Sequence, residues 1–412
     1  NKHLNRFEHE RIREFRSDYC DLRSMIENVD VLLRTVNVKI NKNNDKRINI
    51  LIFLLWAVSL ACYYYAYIFS TIWFVFIRSP ERGDLVAASV VFSLTACSQP
   101  SFITMFHMII YKKLQTLIEN YLHFNDLVKP GTIFYKNLHK HLRYIKNRAT
   151  FVWITMNVNG MLYILLPVAM PGRNLPEEYQ IIYGLEPMLK SPNFEIARIV
   201  TALSVYICVF SLANVTAMNL VVLGYIEAQM IALSKDMRNI WGNADNYCKK
   251  HAVAYKTQGS KYIIKNILVH KCLKEIIHFH IKNIITLKEY DNLFRVTKLV
   301  EFIFIILAII SELLGGIKST YLQIPFTVVL ISIECISGQK IKDASQMFER
   351  AVYDCKWENF DINNRKIVLL MLPCAQRTLK ISAGVTSLDF SCMLSVFRFS
   401  YSTYNTLRLM VI

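Results

Sequence analysis

Residues 199–225 read IVTALSVYICVFSLANVTAMNLVVLGY and contain no Asp, Glu, Lys or Arg. A helix needs about 20 predominantly apolar residues to cross about 30 Å of hydrocarbon, and this run is longer. Three further long runs also lack these four residue types: Ile48–Ile77, Leu85–Tyr111 and Ala149–Pro171. Buried helices of soluble proteins are usually shorter, so the sequence predicts an integral membrane protein.

Three less apolar segments bring the predicted number of membrane crossings to seven. They are Leu299–Gly316, Ser319–Ser337 and Ile367–Ile412. The last segment is long enough for a short helix and a long helix, Val385–Met410, parted near Ser382–Gly384. We therefore predict an all-α protein with seven transmembrane helices.

Lys and Arg residues are concentrated in alternate connections. Residues 1–47, 112–148, 234–296 and 340–366 hold 37 of them, whereas residues 78–84, 171–197 and 313–318 and the C-terminal tail hold 6. Cytoplasmic loops carry the excess of Lys and Arg, so we expect a cytoplasmic N-terminus and an extracellular C-terminus. Because residues 1–47 are polar, we expect the first span to direct membrane entry. The sequence starts at Asn1, so we expect at least an initiator Met to precede it.

Composition and motifs argue against several functional classes. The net charge of +17 comes from loops beside apolar spans, without a zinc-finger or helix-turn-helix pattern, which argues against nucleic-acid binding. The ten cysteines include no Cys-x-x-Cys pair, and no carboxylate or thiol completes a metal site with His270, His278 and His280. Phosphate-binding loops, nucleophile elbows and His-Glu-x-x-His motifs are missing. We predict neither an enzyme nor a cofactor or metal.

A set of residues in the last third of the chain follows a known pattern. Its members are Cys335, Gly338, Ala351, Tyr353, Trp357, Leu369–Gln376, Gly384, Arg398, Ser400, Ser402, Tyr404 and Leu407–Arg408. In this spacing they resemble the insect odorant receptor family, although Thr403 replaces one aromatic residue of the family's last helix. Tyr225–Leu233 also resembles the end of the family's fourth helix. The sister gustatory receptors have five apolar residues and Gln-Phe after a Thr-Tyr pair, and the residues after Tyr404 do not fit that pattern.

The resemblance implies a subunit of a tetrameric, ligand-gated, non-selective cation channel in the plasma membrane of an olfactory sensory neuron. The chain lacks the longer insertion and the more apolar last helix of the family's co-receptor. It therefore looks like a tuning subunit that binds a small volatile organic ligand and assembles with the co-receptor in a membrane.

Other receptor and transport classes fit less well. A gustatory-receptor-like channel is the nearest alternative. A G-protein-coupled receptor has the opposite orientation and carries Asp-Arg-Tyr and Asn-Pro-x-x-Tyr sequences that are missing here. A secondary transporter often shows inverted repeats, which this sequence does not contain.

The resemblance and the hydropathy together predict five parts. These are a cytoplasmic segment (1–47), helices 1–4 with an outer ligand-binding region (48–233), a cytoplasmic loop and anchor-domain helices (234–298), helices 5 and 6 with their inner connection (299–366), and helix 7 (367–412). Helix 7 is expected to have an anchor part (367–381) and a pore-lining part (385–410). Helical spacing between Lys235 and Arg295 predicts extensions of helices 4 and 5 below the membrane. We expect Trp241–Ser260 to be a mobile loop and Pro171–Ala197 to be an irregular lid.

The family's ligand pocket lies in the outer half of the membrane between helices 2, 3, 4 and 6. Helical spacing places these residues there: Ala88, Phe92, Met156, Asn159, Gly160, Tyr163, Tyr206, Val209, Phe210, Tyr321 and Ile324. Such a set suits a ligand of low polarity, with a Tyr or Asn159 making one hydrogen bond. The alternative is that these residues only form the core.

The family's gate position aligns with Thr406, and Ser402, Leu409 and Met410 complete the predicted pore positions. A hydrophobic ring gates by excluding water, so the polar Thr406 implies that co-receptor side chains form more of the seal. The alternative is that Thr406 simply packs. Arg398 either lies at the pore or a subunit interface, or pairs with a carboxylate such as Asp389 or Glu334. An interface is favoured over the pore, where a cation repels permeant cations.

Overall fold

The computed structural model describes residues 21–41, 48–111, 113–176, 179–250 and 258–411. The helices are, in chain order, α1 (Leu22–Arg34), α2 (Ile50–Glu81), α3 (Leu85–Ile110), α4 (Lys113–Asp126), α5 (Ile133–Ala169), α6 (Asn193–Arg238), α7 (Ile240–Lys250), α8 (Gln258–Gly315), α9 (Ile317–Thr320), α10 (Gln323–Tyr353), α11 (Ile362–Ala375) and α12 (Phe390–Val411). A 3₁₀ turn (Trp357–Asn359) precedes α11, and β1 (Ser382–Ala383) and β2 (Thr386–Ser387) form an antiparallel hairpin before α12.

Within the described ranges, five helices are long and apolar enough to cross a membrane: α2, α3, α5, α6 and the helical stretch Gln323–Asn359, which starts with α10. The predicted crossing Leu299–Gly316 forms the end of α8, where Glu301 and Glu312 lower the hydropathy. The expected fold class, an all-α membrane protein, is confirmed.

Helix α6 is the centre of the bundle. It packs against α1, α2, α3, α5, α8 and α10, and every residue from Ser211 to Met230 is buried. A helix that is apolar on all sides must be surrounded by other apolar surfaces, and here those surfaces are protein. Gly224 lets α5 approach closely, because a Cβ atom there would lie 2.5 Å from Ile145 Cγ2.

Helix α1 packs against the bundle through one face, which the polar composition of residues 1–47 did not predict. Its face of Leu22, Met25, Ile26, Val29 and Leu33 is buried. The fully buried carboxylate of Asp30 accepts hydrogen bonds from the backbone N–H groups of residues 40 and 41 and pairs with Arg34 at 2.8 Å. These contacts fold the chain back on itself after α1.

Two local predictions are wrong. Residues 240–250 form α7 instead of a mobile loop, because Trp241 packs on Phe360 with ring centroids 5.8 Å apart; residues 251–257 lie outside the described ranges. The last helix starts at Phe390 instead of Val385, because the β1–β2 hairpin occupies the preceding residues. The Asp389 carboxylate caps the new start by accepting a hydrogen bond from Cys392 N at 3.1 Å.

The helical extensions predicted between Lys235 and Arg295 are present as the C-terminal end of α6 and the N-terminal half of α8. The connection between α5 and α6 is irregular in its described residues, as its prolines predict. It packs on α2, where Tyr183 contacts Phe69 and Trp73 edge-on, and Gln180 donates a hydrogen bond to Ala66 O at 2.7 Å.

Candidate ligand-binding site

An apolar cavity of about 50 Å³ lies where α2, α3, α5, α6 and the start of α10 meet. Its lining residues are Tyr63, Tyr67, Leu94, Cys97, Ser98, Asn159, Gly160, Tyr163, Ser204, Val205, Cys208, Val209, Leu322, Gln323 and Phe326. Most are apolar or aromatic, and a few are polar. Sites for small organic molecules have this composition.

Two tyrosines of α2 form one wall of the cavity. Tyr63 and Tyr67 stack with ring centroids 5.6 Å apart, and Tyr63 also packs on Phe102 at 4.0 Å. Two π-helical segments, Tyr64–Phe69 and Phe74–Arg78, interrupt the α-helical hydrogen bonding of α2. A π turn has i to i+5 hydrogen bonds and so rotates the following residues about the helix axis. Tyr63 is the last residue before the first of these segments, and Tyr67 lies within it.

Most polar groups in the lining are already hydrogen-bonded. The Tyr63 hydroxyl lies 2.7 Å from Ser98 Oγ and accepts from Gln99 Nε2 at 3.0 Å. The Gln323 side-chain oxygen accepts from Ser93 Oγ at 2.7 Å. The amide of Asn159, by contrast, has no hydrogen-bond partner among the residues that the structure describes. This amide is therefore able to bond a polar atom of a ligand.

Gly160 fixes the distance between α5 and α6 beside the cavity. A Cβ atom at this position would lie 2.7 Å from Val209 Cγ1 and 3.0 Å from Val209 Cβ, closer than van der Waals contact allows. The absence of a side chain thus brings Asn159 and Tyr163 of α5 against the cavity face of α6.

Four of the residues predicted for the ligand pocket line this cavity: Asn159, Gly160, Tyr163 and Val209. The other seven do not: Ala88, Phe92, Met156, Tyr206, Phe210, Tyr321 and Ile324. Ala88 and Met156 are buried elsewhere in the bundle, and Phe92, Phe210 and Ile324 are half-buried. Tyr206 and Tyr321 are 40% and 49% exposed.

The differences have a geometric cause. On α3 the lining residues are Leu94, Cys97 and Ser98, one to two turns further along the helix than Ala88 and Phe92. On α6 the lining face includes Ser204, Val205 and Cys208, whereas Tyr206 and Phe210 stack on each other outside it, 5.5 Å apart. The rotation of each helix about its axis decides which face lines the cavity, and periodicity does not give that rotation.

The predicted pore positions lie together on α12. Ser402, Thr406 and Leu409 are exposed in the isolated chain, Leu409 by 81%. Thr406 Oγ1 donates a hydrogen bond to Ser402 O at 3.1 Å, which turns its hydroxyl back to the helix. The side chain of Met410 lies outside the described part of the chain.

The carboxylates considered as partners for Arg398 are both bound to lysines instead. Lys298 Nζ lies 2.6 Å from Glu334 Oε1, and Lys342 Nζ lies 3.0 Å from Asp389 Oδ2. Arg398 is exposed on α12 and forms no ion pair with any described residue. The predicted pair with Asp389 or Glu334 is therefore wrong.

The histidines of α8 are separated by their surroundings. His280 is buried and its ring stacks on Phe348 with centroids 4.4 Å apart, and burial lowers the pKa of its imidazole to about 4. His270 Nδ1 lies 3.0 Å from Asn364 Oδ1, and His278 is exposed. In the described ranges no group of three or more His, Cys, Asp or Glu residues has the arrangement of a metal site.

Comparison with known proteins identifies the fold and the family. The insect olfactory receptor OR5 from Machilis hrabei superposes with a TM-score of 0.70 at 15% identity, over 94% of this chain and 98% of that chain. The same receptor in complex with eugenol gives a TM-score of 0.71 at 15% identity, over 95% and 99%. Comparison with curated proteins gave no match.

A family model described as 7tm odorant receptor matches residues 82–401. This region contains α3 to α11, most of α12 and nearly all of the cavity lining. Since the match covers most of the sequence, the chain belongs to the 7tm odorant receptor family.

Proposed function

We propose that this chain is a tuning odorant receptor subunit that binds a small, volatile organic ligand of low polarity in the cavity between α2, α3, α5, α6 and α10. The observation that carries the proposal is an apolar cavity inside the bundle with one free amide, that of Asn159. An apolar ligand with one hydrogen-bonding atom would fit these walls. The eugenol complex of the Machilis hrabei receptor supports this ligand class.

The size of the cavity suggests how binding is coupled to gating. Its volume of about 50 Å³ is well below the roughly 300–1,000 Å³ of ordinary ligand pockets. A ligand therefore has to displace lining side chains, and it binds better to a conformation in which the surrounding helices lie further apart. A ligand that prefers one of two conformations shifts the population toward that conformation.

Helix α10 connects the cavity to the proposed pore helix. Gln323 and Phe326 at its start line the cavity, and Lys342, five turns further on, binds Asp389 at the start of α12. Gly338 packs directly on the backbone of Leu388, between the hairpin and α12. A displacement of α10 by ligand would thus reach α12 without passing through a loop.

The pore would form when α12 helices of several subunits meet. The exposed face with Ser402, Thr406 and Leu409, together with Met410, would line it, and the co-receptor would supply the other subunits. The chain would cross the plasma membrane seven times, and the excess of 37 over 6 Lys and Arg residues in alternate connections supports an N-terminus on the inside. The end of α8 and α12 would be the two crossings that are less apolar.

Co-expression with an insect co-receptor tests this function. Whole-cell current is recorded during exposure to esters, aldehydes, alcohols and terpenes while G-protein signalling is blocked. We expect a fast cation current that persists under the block and requires both subunits. Current that disappears under the block would indicate a coupled receptor, and substrate uptake without current would indicate a transporter. Current from this chain alone would indicate a channel of the gustatory type.

A further inference from the structure

A second cavity, of about 200 Å³, lies between α1, α5 and α6 and is not part of the ligand site. Its apolar wall consists of Met25, Val29, Leu32, Ala149, Ala217 and Val221. One water molecule needs about 10–15 Å³ of such space and two or more polar partners. The cavity is much larger than that and its main wall offers no such partners, so an apolar occupant suits it better than water.

One end of this groove is polar. Lys146 and Thr150 lie one turn apart on α5, and Asn28 of α1 lines the same cavity. No carboxylate in the described ranges forms an ion pair with Lys146. Lys146 lies three residues, or about 4.5 Å along the helix, before the charge-free run that starts at Ala149. This is the depth at which a lysine reaches the phosphates of a bilayer.

The other end of the groove is closed by hydrogen bonds. Trp153 Nε1 donates to Asn214 Oδ1 at 2.8 Å, and Asn214 Nδ2 donates to Leu32 O at 3.1 Å. These bonds join α5, α6 and the C-terminal end of α1. The groove is therefore an apolar slot with a basic mouth and a closed deep end.

The mouth lies beside a surface that faces lipid. Phe151, Ile154 and Val158 follow it along α5 and are 70%, 49% and 47% exposed. A contiguous apolar surface of this kind on a membrane-spanning helix is covered by hydrocarbon.

We propose that this groove binds an anionic phospholipid, with one acyl chain in the slot and the phosphate on the Lys146 ammonium. The apolar wall selects a lipid over a soluble phosphate, and the unpaired cation selects an anionic headgroup. Bound lipid would hold α1 against α5 and α6, the two helices that also carry Asn159, Gly160 and Val209 of the ligand cavity. The proposal does not depend on which ligand opens the channel.

Trp153 lines the groove and reports its occupant. The full chain is placed in phosphatidylcholine nanodiscs that contain increasing fractions of dibrominated phosphatidylserine or dibrominated phosphatidylcholine, which quench nearby indoles. The signal of Trp153 is the difference between wild type and Trp153→Phe. We expect half of the Trp153 signal to be quenched at an about fivefold lower fraction of dibrominated phosphatidylserine than of dibrominated phosphatidylcholine, because one basic residue contacts the anionic headgroup.

Lys146→Gln should abolish this preference, and Lys282→Gln, the same charge change at an exposed position of α8, should keep it. Ala217→Leu, which fills the slot, should reduce quenching by both lipids. This variant provides the test if Trp153→Phe does not fold. Equal quenching by both lipids in the wild type, no quenching of Trp153, or a serine-lipid preference that survives Lys146→Gln would each overturn the proposal.

Discussion

At the scale of single residues, Asn159 is the residue that we propose recognises the polar group of a ligand. Its free amide can bond a carbonyl, ether or hydroxyl group of a ligand, and a neutral hydrogen bond contributes about 0.5–1.5 kcal/mol. Asn159→Ala should therefore raise the half-maximal concentration of such ligands by about threefold to tenfold and leave hydrocarbon ligands unchanged. Dose–response curves of whole-cell current measure this difference.

The neighbouring Asn157 provides the control for that measurement. Its Nδ2 donates to Trp153 O on its own helix at 2.8 Å, and it does not line the cavity. Asn157→Ala should leave the dose–response curve of both ligand types in place. An equal shift in the two variants would mean that the Asn159 effect is not a ligand contact.

His280 predicts an acid-sensitive fold. Its imidazole has a pKa of about 4 in the folded chain, against 6.5 in an unfolded one. The unfolded state takes up the proton first, so the contribution of His280 to the free energy of unfolding is complete above about pH 6.5 and is lost as the pH falls toward 4. Between about pH 7.5, where this contribution is complete, and about pH 5, where much of it is lost, the melting temperature of His280→Leu should fall less than that of the wild type.

The exposed His278→Leu is the matched control, because it removes an imidazole without touching the packed contact with Phe348. Thermal unfolding of the detergent-solubilised chain at the two pH values gives the comparison. If the melting temperatures of His280→Leu and the wild type fall by the same amount between the two pH values, proton uptake by His280 does not limit stability.

The site residues show which information a single sequence contains. Helical spacing predicted a face of α5 with Met156, Gly160 and Tyr163, of which the cavity includes Gly160 and Tyr163, and Asn159, predicted as a hydrogen-bonding group, also lines it. Tyr63 and Tyr67 were not predicted, because they lie on α2, the first span, and the pocket was expected between helices 2, 3, 4 and 6. Whether any of these residues binds ligand stays a prediction.

At the scale of elements, α10 and α12 meet through a glycine. A Cβ at Gly338 would overlap the carbonyl oxygen of Leu388, and a backbone atom cannot move aside as a side chain can. Gly338→Ala should therefore separate α10 from the start of α12, lowering the melting temperature and the maximal ligand-evoked current. Surface labelling distinguishes a gating defect from poor expression.

Gly242→Ala is the same substitution at a helical position where a Cβ meets no atom within 4 Å. Replacing a helical glycine by alanine contributes about 0.5–1 kcal/mol of stability, so this variant should keep or raise the melting temperature. A Gly338→Ala variant as stable and as active as Gly242→Ala would show that the contact with Leu388 is loose.

Helices in the apolar runs were predictable because hydropathy alone places them, and the break before α12 followed from its glycine and polar residues. Helix α1 was not predicted, although Leu22, Met25, Ile26 and Val29 have helical spacing. Its many charged neighbours dominate the composition, and its buried Asp30 is stabilised by backbone N–H groups brought back from residues 40 and 41. Such tertiary contacts do not appear in a local sequence pattern.

At the scale of the whole molecule, the distribution of Lys and Arg predicts which side of the membrane each terminus occupies. An epitope tag after Ile412 should be labelled by antibody on intact cells, and a tag before Asn1 only after permeabilisation. The family assignment fits a ligand-sensing receptor and not an enzyme. Labelling of both tags on the same side would mean an even number of crossings and would contradict the predicted seven.

The continuity of α8 has a mechanical consequence. From Gln258 to Gly315 it is a single helix of 58 residues, about 87 Å long at 1.5 Å per residue. A tilt of only about 5° around its midpoint would move each tip by about 4 Å, in opposite directions, at this length. A stiff helix of this length can therefore convert a displacement the size of a side chain at one of its ends into a displacement of similar size at the other end, on the opposite side of the membrane.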